Sequence, residues 1–290
     1  MALWDKRAEK KFFIESLRLA SREQLFYKTR KGQFFAYWPK AHNAEKYTLQ
    51  SRNALVGAFT EKFCKELIAR IIPENLYVIE EAICCELGLE GNSKADLVIA
   101  RNNQKELQAN DIEIIFEIKM SIVWNWECRD RKLLCLGDYK THSGNPSILR
   151  SDSVLKAIGK SVDIRIASEN AKRIPIIILA NSPITEFYRN KVDLLKQYGI
   201  VQGFWSLNPS PLKDPNDPDN LKQTQMGGFY RFDTEDELKE KLFQHIDNKK
   251  EFFAGMLEPI KLGELIEIAS RESTYEAKAE KFLKLLGELR

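Results

Sequence analysis

The chain has 290 residues, 43% of them apolar and 30% charged, which allows one large domain or two smaller ones around a sizeable core and excludes a wholly disordered chain. Its 45 lysines and arginines against 42 aspartates and glutamates leave a net charge of +3, which neither requires nor excludes a nucleic-acid partner. The longest uncharged apolar run, Ile174 to Ala180, is too short to cross a bilayer. Charges in MALWDKRAEKKFF occupy the place of a signal peptide's apolar stretch, and five cysteines without a C-x-x-C motif predict reduced thiols in a cytoplasm.

The hydropathy pattern predicts a helix over 5–20, followed at 26–40 by FYKTRKGQFFAYWPK, a mixture of aromatics and cations without a clear period. A long helix at 51–72 follows, with Leu55, Phe59, Phe63, Leu67 and Ile71 spaced by four and Pro73 as its stop. Strands are expected at Leu76 to Cys85 and Ala95 to Ala100, then a polar turn at 101–111 and a third strand from Ile112 to Met120. After an irregular stretch come a helix at 148–167, an apolar strand at Ile174 to Ala180, a helix at 185–198 and a strand at 200–207, a unit that calls for a parallel crossover. Residues 208–220 form a loop rich in proline and aspartate, and Thr234–Asn248 and Gly263–Leu289 read as helical, joined by a segment containing Pro259. The expected organisation is an N-terminal helical and basic-aromatic extension (1–49), an α/β core (50–207) and a mostly helical C-terminal addition packed on it (208–290).

The third strand carries the chemistry. Side chains alternate along a strand, so Ile112, Ile114, Phe116, Ile118 and Met120 share one face and Glu113, Ile115, Glu117 and Lys119 the other. Closing the hairpin symmetrically about 101–111 sets Asp96 opposite Glu117, Val98 opposite Ile115 and Ile99 opposite Ile114, so Asp96, Glu117 and Lys119 are expected to converge. Two neighbouring carboxylates repel unless a positive charge sits between them. Magnesium suits such a pair, because it takes hard oxygen ligands and often only one or two protein carboxylates, with water and phosphate completing its shell. A lysine on the same face can orient or deprotonate an attacking water, and the chemistry suggested is metal-dependent phosphodiester hydrolysis. The competing reading is a surface ion pair. Glu-x-Lys also occurs at Glu9-Lys10-Lys11, Glu237-Leu238-Lys239 and Glu276-Ala277-Lys278, which read as solvated faces.

Asp96, twenty residues, then Glu117-Ile118-Lys119 resembles the signature of the PD-(D/E)XK nuclease superfamily, and helix, three strands, helix, strand is similar to that family's core over 50–207. Ala95 stands where the signature has proline. The resemblance implies an α/β restriction-endonuclease-like core, a mixed central sheet flanked by helices with helical additions at both ends. It also implies Asp96 and Glu117 as magnesium ligands and Lys119 as the catalytic lysine. Many members add a carboxylate from the first helix; Glu61, one turn after Gly57, is the candidate, with an exposed helix glutamate as the equal alternative and Glu80 and Glu81 as rivals.

Other patterns carry less. Gly159-Lys160-Ser161 lacks the earlier glycine of a phosphate loop, Val154 standing in its place. Cys128, Cys135 and His142 lack the close ligand pairs of a zinc site and read as unrelated residues. His42-Asn43 lacks the second histidine of a histidine–metal nuclease. Arg150, Lys156 and Lys160, with Arg165 near the same helix's end, are candidate phosphate contacts, and so is Lys140 in the polar loop 138–147; a solvated helix face is the alternative. The 27–40 segment suits either nucleic acid or packing on the core or a second subunit. The expected function is that of a magnesium-dependent type II restriction endonuclease cutting double-stranded DNA, as the resemblance implies for a compact core, and commonly as a homodimer. Phe282, Leu283, Leu286 and Leu289 form an apolar stripe suited either to an interface or to covering the core. The alternatives are a repair or recombination nuclease of the same fold and a non-catalytic DNA-binding protein.

Overall fold

A computed structural model of the chain describes residues 3–40, 47–91, 93–130, 132–247 and 259–288. Helix α1 (Lys6–Ser16) starts at Asp5, whose carboxylate accepts the backbone N–H groups of Arg7 and Ala8 at 2.8 and 2.9 Å. A short helix α2 (Arg22–Leu25) and two short strands, β1 (Tyr27–Lys28) and β2 (Phe34–Phe35), occupy the basic-aromatic segment. Helix α3 (Gln50–Ile71) follows the predicted periodicity, burying Val56, Phe63, Leu67 and Ile71, and Ile72 turns extended before Pro73.

Strands β3 (Tyr77–Ala82), β4 (Ala95–Ala100) and β5 (Ile112–Ile118) form an antiparallel meander. The predicted register holds: Val98 pairs with Ile115 and Ile99 with Ile114. A shift between Ile99 and Ala100 then sets Ala100 against Ile112, so Ile112 joins the cluster on the opposite face from Ile114 and departs from the simple alternation. The stretch read as irregular contains a hairpin of β6 (Asn125–Arg129) and β7 (Lys132–Gly137). Helix α4 (Ser151–Ala167), strand β8 (Ile176–Ala180), helix α5 (Glu186–Gln197) and strand β9 (Gly203–Ser206) complete the crossover unit, with β8 parallel to both β5 and β9. Strand β10 (Phe229–Arg231) adds a parallel edge beside β9, where Gly228 passes so close to the Val192 backbone that a Cβ would run into it. Helices α6 (Glu235–Asp247), α7 (Pro259–Ser270) and α8 (Tyr275–Glu288) follow.

The protein is thus α/β, with a mixed six-stranded sheet of order β10-β9-β8-β5-β4-β3 and a smaller sheet β1-β2-β6-β7. One face of the large sheet (Leu97, Ile99, Ile114, Phe116) packs on α3, α1 and α6; the other (Val98, Ile115, Ile176, Ile178) packs on α4 and α5. Every residue of β8 is buried, as a strand covered on both faces requires. Both sheets cross the expected boundaries at 49/50 and 207/208, because β2 pairs with β6 and β10 with β9. Among the described residues no helix is long and apolar enough to cross a membrane.

Two charges expected on solvated faces are buried instead. Glu9 is fully buried: its carboxylate accepts the Trp4 and Trp126 indole N–H groups at 3.2 and 2.9 Å and the Val123 and Trp124 amides at 2.5 and 3.2 Å. Arg165 is turned into the core, where it donates to the carbonyls of Gly199, Ile200, Ala171 and Ile174 and to Gln202, so it has no route to a phosphate. His42 and Asn43 lie outside the described residues, as do Leu289 and the side chains of Phe282, Leu283 and Leu286.

Candidate active site

The β4–β5 ladder ends at Leu97 and Phe116, and beyond it the Asp96 carboxylate takes over the free backbone N–H of Ile118 at 2.7 Å. This bond pins Asp96 beside the exit of β5. Glu117 and Lys119 share its face, and the Lys119 ammonium lies on Glu117 and 3.9 Å from Asp96. Helix α4 delivers a fourth group that the sequence assigned to phosphates: Lys160 Nζ lies 2.6 Å from Glu117 Oε2 and 3.4 Å from Asp96 Oδ1, and donates to the Lys94 carbonyl at 2.7 Å. The four side chains are 9–20% exposed, screened enough for strong mutual interactions yet open to a ligand. Burial pulls the Lys160 ammonium down, but the attraction of Asp96 and Glu117 outweighs it and holds the group above the usual lysine range.

The backbone of Lys119 is fixed on both sides. Its N–H bonds to the Leu179 carbonyl at 2.7 Å, and its carbonyl accepts the Ser147 hydroxyl. Ser147, held at φ +52°, also donates its N–H to Ser121 Oγ at 2.7 Å, and Asn181 clamps both backbone groups of Ser121 at 3.0 and 2.6 Å. These partners lie 26–60 residues apart in the chain, so no local pattern announces them.

The remaining candidates fall elsewhere. Glu61 lines a groove with Glu80, Glu81, Lys65 and Lys105, beside the Asp96 strand rather than in contact with its carboxylate pair. Burial, with repulsion from Asp96, Glu80 and Glu81, raises its carboxyl above the usual range. Glu80 is ion-paired with Lys65 of α3, and Glu81, which parity aims at the Asp96 face, sits at φ +48° and turns out to Lys105, each pair at 2.6 Å. Among the described residues no three His, Cys, Asp or Glu side chains gather as a metal site. Lys140 is held by Asp217 and Asp219 at 2.5 and 3.0 Å, which neutralises it away from the site, and Lys156 is exposed on α4. His142 stacks on Tyr37 at 4.0 Å, and burial pulls its imidazole down to about 4, so it stays neutral near pH 7; neither Cys128 nor Cys135 joins it in a metal site.

Lys119 also borders a cleft of about 510 Å³ between α3, the exit of β5 and the loop 143–150. Among the described residues its cations are Arg52, Lys119 and Arg150, and no aspartate or glutamate lines it. Tyr27, Tyr37, Trp38 and Tyr47 supply aromatic surface, so the basic-aromatic segment both packs on the core and lines this cleft. Arg150 is the one candidate phosphate contact that lines it; it is bonded to Asp152 at 2.6 Å.

Comparison with protein-family models, with curated proteins and with solved structures returned no match. What the fold and site define is an α/β protein whose mixed sheet ends in two carboxylates and two lysines beside a cleft lined by Arg52, Lys119 and Arg150.

A divalent cation fits the donor set. The Lys160 ammonium already sits between Asp96 Oδ1 and Glu117 Oε2, where a positive charge is balanced by two hard oxygens. Lys160→Met should therefore tighten calcium or manganese binding about tenfold in a calorimetric titration. Unchanged or weaker binding would show that the ammonium does not compete for that place.

Proposed function

We propose that this protein is a magnesium-dependent endonuclease that hydrolyses DNA phosphodiester bonds, of PD-(D/E)XK type, acting as a type II restriction endonuclease on double-stranded DNA. The observation that carries the reading is the convergence of Asp96, Glu117 and Lys119, the last of which also lines a cleft with Arg52 and Arg150. Two oxygens of different strands meet there with a lysine whose backbone is held at both ends. The order α3, three antiparallel strands, α4, parallel strand is also similar to the core of that superfamily.

Asp96 and Glu117 would hold the magnesium ion, which supplies positive charge for the phosphate oxygens and an acidified water for the leaving group. Asp96 keeps its orientation through the Ile118 amide, and Glu117 through the two lysines. The Lys119 ammonium aligns the attacking water; the water oxygen bonds to phosphorus as its proton passes to solvent, one ester P–O bond breaks, and the leaving oxygen takes a proton from water. Arg52 and Arg150 attract the nucleic-acid backbone, which adds affinity without reading sequence. In this reading the enzyme acts as a homodimer on symmetric sites.

A repair or recombination nuclease is the second reading, favoured by the recessed floor of the cleft, where Arg52 is 5% exposed. Incubation of plasmid and phage DNA with magnesium, followed by end sequencing, separates the two. Discrete fragments are expected, with cleavage confined to junctions or lesions in the second reading. Intact DNA on every substrate, with magnesium or manganese, would leave a DNA-binding protein whose acidic hairpin is structural.

A further inference from the structure

We propose that the cleft beside Lys119 receives a single unpaired nucleotide next to the bond being cut, an inference that rests on the hydrolase reading above and narrows its substrate. Three features of the cleft point to this ligand. Its volume, about 510 Å³, is in the range that takes one small organic ligand. A duplex keeps its bases inside the stack and meets proteins with its phosphates and groove edges, so it would lie across the mouth of such a cleft and leave the floor unused.

The floor is nevertheless built for an anion. Arg52 is 5% exposed, and no carboxylate pairs with it among the described residues. One of its nitrogens, Nη1, donates to the carbonyls of Leu25 and Ala36, and the guanidinium lies 5.1 and 5.2 Å from the rings of Tyr27 and Tyr37. Burying a cation without an acid is costly, and an anionic ligand would offset that cost. The remaining cations of the lining are Lys119, whose ammonium lies on Glu117, and Arg150, which is bonded to Asp152 and would have to exchange that partner for a phosphate.

The walls suit a base. The lining includes aromatic Tyr27, Trp38 and Tyr47 together with aliphatic Ile118, Met120 and Ile122, surface that would replace the neighbours a base loses on leaving the stack. Asn53 and Asn145, both exposed at the rim, carry amides that donate and accept toward a base edge. Gly144 keeps the loop against Tyr37, since a Cβ there would come 2.5 Å from the ring. Lys119 lines the cleft and its ammonium lies on Glu117, so it is the residue through which a nucleotide seated here would adjoin the carboxylate pair. Extruding a paired base costs a few kcal/mol and is cheapest at a mismatch or bulge. The chain would therefore either extrude a base from its site or act where one is already unpaired.

The test measures binding in calcium, by fluorescence anisotropy, of two duplex pools with random flanking sequence, one fully paired and one with a single extrahelical nucleotide of any base. The intact chain is expected to bind the second at least about tenfold more tightly. Asn145→Trp and Asn53→Trp, which add bulk to the cleft from the loop 143–150 and from helix α3, should remove that preference while leaving manganese binding at Asp96 and Glu117 unchanged. Equal affinity for the two pools, or a preference that survives both fillings, overturns the proposal. If plasmid is still cut with magnesium in that case, the hydrolase reading stands without it; if no DNA is bound or cut, both readings fall together.

Discussion

Asp96→Ala is expected to lower DNA cleavage by about 1,000-fold or more, the size seen when one charge-stabilising group leaves a reaction site, and to abolish calorimetric manganese binding. The geometry makes this loss specific. Asp96 contributes one oxygen beside Lys160 and the other to the Ile118 amide, so its removal leaves Glu117 alone between two lysines. Glu117→Ala and Lys119→Ala should fail equally in cleavage while keeping DNA binding in calcium, because the cleft's cations Arg52 and Arg150 are untouched. Full activity in any one of the three variants would remove that residue from the mechanism.

The largest effect on stability is expected at Glu9. Its replacement by alanine strands four buried N–H donors, two indoles and two amides, and should cost about 4 kcal/mol or more in urea unfolding. Burial outweighs these four bonds and pushes the Glu9 carboxyl up from 4.5 to about 7. Below pH 4.5 the group is protonated in both folded and unfolded chains and contributes no pH dependence. As the pH rises toward 7 the unfolded chain releases the proton while the folded chain retains it, so stability falls, and above about 7 the penalty is constant. The shift corresponds to about 3 kcal/mol across that window. Glu9→Gln should flatten this decline; an identical slope in both chains would show that Glu9 does not titrate there.

The site was legible where the backbone's own geometry carried the signal. Alternation along β4 and β5, with charges at Asp96 and Glu117 and apolar residues between, leaves one register that buries the apolar row. Helix α3 was legible for a similar reason, its apolar spacing matching the helical turn. The β6–β7 hairpin was not, because Leu134 and Leu136 are exposed while Glu127 is buried, so hydropathy does not mark its inner face. Strand β10 is three residues long, too short to show a period.

The positions of single charges followed a different logic. Glu9, Lys160 and Arg165 each sit in segments whose local pattern suits a solvated helix, yet each is drawn inward by partners far along the chain. Lys160 meets carboxylates on two strands, and Arg165 replaces a missing counter-ion with four carbonyls and Gln202. The order of residues by itself determined the α/β class, the three-strand meander and the shared face of Asp96, Glu117 and Lys119, since these depend on periods of two and 3.6 residues. Only the tertiary structure decided that Lys160 stands between the carboxylates, that Glu61 shares a groove with Glu80 and Glu81 and that a cleft lined by Arg52 and Arg150 opens at Lys119. Those outcomes depend on how separate elements pack against one another, which no local period encodes.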